Sequence, residues 1–156
     1  MEKYHESLQN AIKNMRVADH MLYVTFPVIK DKRLLLKAVD QIYDSLIYAI
    51  NSILQYEYVW KRIQLTKDSK TNYETFITRC SKHYNITPDE VNDINTFISI
   101  VENHKKSPME FMRKERVVIM TDSLKTSIID SEKLKKYLNL SKKLIEKAKF
   151  GMNIQT

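Results

Sequence analysis

Apolar side chains recur at steps of three and four along most of this chain, the spacing of helices with one buried face. Leu8, Ala11, Ile12, Met15, Ala18 and Leu22 form the first stripe and predict a helix over roughly 3–25. Pro27 lacks the N–H needed to continue it, so a turn is expected there, and Asp31 is placed to cap the next helix. The second stripe is the longest: Leu35, Val39, Ile42, Leu46, Ala49, Ile53, Tyr56, Trp60 and Ile63. Beside it runs another apolar row, Leu36, Tyr43, Ile47, Ile50 and Leu54, leaving only Lys37, Asp40, Asp44, Asn51 and Gln55 on the polar side. A helix so widely apolar belongs in the middle of a bundle or against a second subunit, and a homodimer is expected on that ground.

Residues 66–72, TKDSKTN, read as a loop, followed by a short helix over about 73–84. Thr87, Pro88, Asp89 and Glu90 mark the next start, with Thr87 and Glu90 spaced for a capping box. Val91, Ile94, Phe97, Ile98 and Val101 supply that helix's buried face, and Pro108 closes it. Val117 to Met120 is a short apolar run that reads as a strand or a buried extended segment; periodicity does not choose between them. Ser131 and Glu132 open the last helix, whose inner face is Leu134, Tyr137, Leu138, Ser141, Leu144, Ile145 and Ala148. The expected fold is all-α, a four- to five-helix bundle with one irregular segment near residues 105–122, in a single domain spanning 1–156.

Composition supports that reading. The chain has Gly 1 and Pro 3, and tight hairpins depend on residues that accept positive φ, so a fold built mainly of short strands is excluded. Cys80 is the lone cysteine, which rules out an internal disulfide and a cysteine-based zinc site and fits a reducing compartment. The N-terminal stretch is too polar for a signal peptide, and no apolar run is long enough to span a bilayer, so a cytoplasmic location is expected. Net charge is +7. Residues 1–103 carry 13 basic and 13 acidic side chains, and residues 104–156 carry 13 basic and 6 acidic. A basic final third suggests a polyanionic partner, and a Lys-rich solvated surface is the plainer alternative.

The search for chemistry gives few matches. With the one glycine at position 151, no Gly-rich phosphate loop can form. A single Glu-x-x-His, Glu2 to His5, lacks the second copy that a dinuclear carboxylate site needs. No metal or cofactor is expected. Cys80 and His83 lie three apart and read as a small buried residue beside a surface histidine. Arg16 with His20, and Arg79 with His83, lie four apart, which places each pair on one helix face. An arginine beside a histidine suits phosphate binding and proton transfer. The best binding candidate is the segment His104, Lys105, Lys106, Arg113, Lys114 and Arg116, interleaved with Met109, Phe111 and Met112. Its cations attract phosphates, and an exposed Phe111 would stack on an unpaired base. Lys135, Lys136, Lys142 and Lys143 on the last helix would extend that surface.

This helical layout with a basic polar motif resembles the HEPN superfamily, in outline over residues 16–113. That resemblance implies an RNase or RNA-binding module that dimerises, with an Arg, four to six residues, then His. Arg79 and His83 are separated by three residues, and Glu102-Asn103-His104 has the polar–His end of the motif without its Arg. Arg79, His83 and His104 are the catalytic candidates the resemblance offers. The segments ADHMLYVTFPVIKDKRLLL and HKKSPMEFMRKERVVIM are also similar to archaeal helical proteins. The leading expectation is an RNA-binding bundle, on ribosomal or transfer RNA, with no evident catalytic site. The alternatives are a metal-independent endoribonuclease or its inactive toxin–antitoxin relative, and a protein-interaction adaptor or structural homodimer.

Overall fold

The computed structural model describes residues 2–106, 109–113, 116–120 and 126–154. Its helices are α1 (Lys3–His20), α2 (Phe26–Ile29), α3 (Lys32–Val59), α4 (Ser69–Thr75), α5 (Pro88–Lys106) and α6 (Ser131–Gly151). Between α5 and α6 lie three short strands, β1 (Met109–Arg113), β2 (Arg116–Met120) and β3 (Thr126–Asp130). The chain is a helical bundle, as its periodicity predicts. The irregular segment is an antiparallel meander in the order β1-β2-β3, which settles the open reading of Val117 to Met120 as strand.

Helix α3 is the centre of the molecule. Leu35, Val39, Ile42, Ala49 and Ile53 are wholly buried, and α3 packs against α1, α5, α6 and β2. Each large side chain buried there contributes roughly 1.5–3 kcal/mol. Small residues let the helices approach closely: the buried Ser45 hydroxyl donates to the Ala11 carbonyl at 2.8 Å and lies 3.5 Å from Ser141 Oγ. So α1, α3 and α6 meet through Ala11, Ser45 and Ser141. The Leu35–Ile53 row of α3 is thus covered within the chain, whereas Leu36, Tyr43 and Ile47 on the neighbouring row stay half-buried.

Capping follows the sequence closely. Asp31 accepts from the Arg33 N–H, and the Thr87–Glu90 box closes in both directions at 2.9 and 3.1 Å. Asp130 caps α6 by accepting from the Lys133 N–H. Three boundaries differ from expectation. The first helix does not turn at Pro27: it runs through a π-turn, Met21–Thr25, into α2 and ends at Lys30, which has φ 56. A proline ring clashes with the carbonyl four residues back in a regular helix, and a widened turn just before it relieves that clash. The 66–72 loop is helical from Ser69, because Asp68 accepts from both the Lys70 N–H and the Thr71 hydroxyl. Helix α3 stops at Val59, which leaves Trp60 59% exposed instead of on the buried seam.

Candidate functional site

Two regions of the molecule carry concentrated positive charge, and the structure treats them differently. The first is the predicted basic surface. Lys136 lies 3.8 Å from Asp93 on α5, and Lys142 donates to Asp19 on α1 at 2.6 Å. Lys135 pairs with Glu132, and its Nζ stands over the Tyr23 ring, which Lys142 also approaches. Lys147 is bonded to Glu90. Of the four predicted α6 lysines, Lys143 alone has no partner among the described residues.

His104 and Lys105 turn back onto α3. The His104 side chain is 16% exposed and lies 3.8 Å from Asp40, and Lys105 sits over the Tyr43 ring. Burial, then the neighbouring Asp40, raises the Asp44 carboxyl above its usual range, and Lys105 opposes that shift. These two predicted contacts therefore serve an acidic patch of the same molecule. In the meander, Phe111 stands opposite Val118 and Arg113 opposite Arg116 in register. Lys106 ends α5. Lys114 lies outside the described residues.

The second region is the far end of α3 with the turn after α4. The end of α3 is built by a backbone device. Lys61 adopts φ 58, the left-handed position that usually holds glycine. The Arg62 N–H then reaches back to the Glu57 carbonyl at 3.0 Å. This reversal returns the Arg62 side chain to the same residue, and its Nη1 donates to Glu57 Oε2 at 2.8 Å. The Glu57 carboxylate is 4% exposed, and its other oxygen lies 3.7 Å from His83 Nε2.

The opposite wall comes from a π-turn, Phe76–Cys80, which follows α4 and ends in Arg79 and Cys80. Such widened turns recur at functional positions. Glu57, Arg62, Ile63, Arg79, Cys80 and His83 line one cavity of ≈ 220 Å³. Arg62, Ile63 and Arg79 also border a larger one of ≈ 460 Å³, completed by Lys61, Gln64, Thr75 and Thr78. Arg79 is exposed and makes no ion pair among the described residues. Among the described residues the buried Tyr84 hydroxyl makes no hydrogen bond of good geometry, and Glu57 is the charge that bears on it. Burial, then the Glu57 charge, holds the Tyr84 phenol far above its ordinary range.

Comparison with protein-family models, curated proteins and solved structures finds no match to this chain. The chemistry of the site therefore rests on its own residues. Burial, reinforced by Glu57 and opposed by Arg79, pushes the Cys80 thiol up to about 11, so it is a protonated core side chain at neutral pH and no nucleophile. Among the described residues no group of histidine, cysteine and carboxylate side chains is arranged to hold a metal ion, and no helix is long and apolar enough to cross a membrane.

Arg79 and His83, paired by their spacing, do share a cavity, whereas His104 is elsewhere, against α3. Glu57, Lys61, Arg62 and Trp60 were missed by sequence reasoning. One signal for Glu57 was present: it stands three residues after Leu54, where the second apolar row calls for an apolar side chain. A lone carboxylate at a core position requires a cationic partner, and Arg62 is the nearest arginine in the chain.

Proposed function

We propose that this chain is an RNA-binding helical bundle whose contact surface is the end of α3 with the turn after α4, in place of the basic final third. The observation that carries this reading is the convergence of Lys61, Arg62 and Arg79 on one cavity. Beside it in sequence, Tyr58 and Trp60 are more than half exposed. Arginines supply sequence-independent phosphate attraction, and exposed aromatic rings stack on unpaired bases. Arg62 is held in place by a buried carboxylate, so little side-chain freedom is lost when an anion arrives.

Trp60 is the only tryptophan, which makes its emission a direct probe. Titration with a single-stranded oligoribonucleotide is expected to quench Trp60 fluorescence with a steep salt dependence. Unchanged emission at low salt, with no shift in RNA mobility, would sink the reading.

A second reading, metal-independent endoribonucleolytic cleavage, is favoured by the shared cavity of Arg79 and His83 backed by Glu57. Under it, His83→Ala abolishes cleavage of a labelled RNA and leaves binding in place. Absence of cleavage by the unaltered chain excludes it.

A further inference from the structure

We propose that the cavity between Arg62 and Arg79 receives the terminal phosphomonoester of a single-stranded RNA, so that the chain reads RNA ends in preference to internal backbone. This inference rests on the RNA-binding reading above and names the part of the RNA that the site recognises.

An internal phosphodiester carries one negative charge, and successive phosphates follow one another along the strand. A surface that reads them needs a stripe of cations. The lysines of α6 have that arrangement, but Asp19, Glu90, Asp93 and Glu132 occupy Lys142, Lys147, Lys136 and Lys135. At the end of α3 the cations instead converge on a single concavity. A phosphomonoester carries about −1.5 to −2 charge at neutral pH and presents three strong acceptor oxygens. That ligand matches several donors at one point.

The donors available narrow the choice further. Thr75 and Thr78 line the cavity, but their hydroxyls already donate to the Thr71 and Glu74 carbonyls. They therefore have no proton left for a phosphate. Recognition falls to Lys61, Arg79 and the part of the Arg62 fork not bonded to Glu57. A guanidinium presents five N–H donors in a fixed plane, and the Nη1 contact to Glu57 is the one side-chain bond of that fork among the described residues. Arginine forks suit planar, bidentate contact with phosphate.

Size agrees with a nucleotide end. A cavity of ≈ 460 Å³ lies within the range that encloses a small organic ligand. It has room for a sugar together with its phosphate. Tyr58, which lines the neighbouring cavity with Lys61, Ile63 and Gln64, then offers a stacking face to the base that follows.

The test is fluorescence anisotropy with a labelled oligouridylate of about eight nucleotides, a typical single-strand site size. It is prepared with a 5′-phosphate, with a 3′-phosphate, or with hydroxyls at both ends. One phosphorylated form is expected to bind roughly tenfold more tightly than the hydroxyl form, the scale of one charge-assisted contact set. That preference should fall to near unity in Arg79→Gln, with an unchanged melting temperature. Equal binding of all three forms overturns end recognition and leaves RNA binding standing. No binding of any form at low salt overturns both. A preference that survives in Arg79→Gln overturns the assignment to this cavity. Competition by free uridine monophosphate at the concentration of the phosphorylated oligomer overturns the RNA end as the ligand in favour of a nucleotide.

Discussion

Helix α6 and the end of α3 both carry clustered cations, and they differ in what those cations face. On α6 the lysines are numerous but meet carboxylates of α1, of α5 and of their own helix. Two of those lysines, Lys136 and Lys147, meet carboxylates of the acidic α5. At the end of α3 the cations are few, but one carboxylate, Glu57, is used to aim one arginine, and Arg79 is left unspent beside it. Counting charges along a sequence therefore does not show which cations the fold pairs with its own carboxylates. What matters is how much positive charge remains after the fold has satisfied its own carboxylates, and whether that remainder converges.

The comparison breaks most sharply at Arg62. Arg62→Ala should lower single-stranded RNA affinity by about a hundredfold, since it removes a fixed donor set and exposes the cavity to the uncompensated Glu57 charge. It should also lower the urea midpoint, because a buried carboxylate loses its partner. Anisotropy and a denaturation curve measure the two effects separately, and an unchanged affinity would mean that the cavity is not the contact. Arg79→Gln should cost about tenfold in affinity with no change in midpoint, because its exposed side chain makes no ion pair among the described residues.

Lys61→Gly separates strain from charge. Relief of the left-handed backbone should raise stability by about 1 kcal/mol, while loss of the cation weakens RNA binding roughly threefold. Both changes are read by thermal melting and anisotropy on the same protein. A variant that gains stability and keeps full affinity would remove Lys61 from the site. The smallest effect is expected on α6. Lys136→Gln with Lys142→Gln should change RNA affinity by less than about twofold, and stability by no more than a few tenths of a kcal/mol, since both pairs are open enough to solvent to be screened. A large loss of affinity there would restore the final third as the interface.

How far the chain could be read depends on the range of the interaction in question. The helices were legible because their determinants are local: Leu35, Val39, Ile42 and Ile53 repeat at helical spacing and are buried. The Thr87–Glu90 box needs only residues three apart. The same spacing misplaced Trp60. Periodicity extends a pattern, whereas the helix stopped where the Lys61 backbone turned left-handed. The meander was half legible, since β-branched Val117 to Ile119 suggested extension but strand pairing is a contact between segments. That Arg79 and His83 border one cavity follows from their closeness in sequence.

The sequence by itself determined the main helices, the Asp31 and Thr87–Glu90 caps, the wide apolar face of α3 and the absence of a glycine-rich phosphate loop. Each of these follows from local spacing or from composition. Only the tertiary structure decided which cations are free. Lys142 meets Asp19 across 123 positions and Lys147 meets Glu90 across 57, and helical periodicity carries no information about partners so far away. The same holds for His83 and Glu57, which belong to different elements and meet only when the turn after α4 folds onto the end of α3.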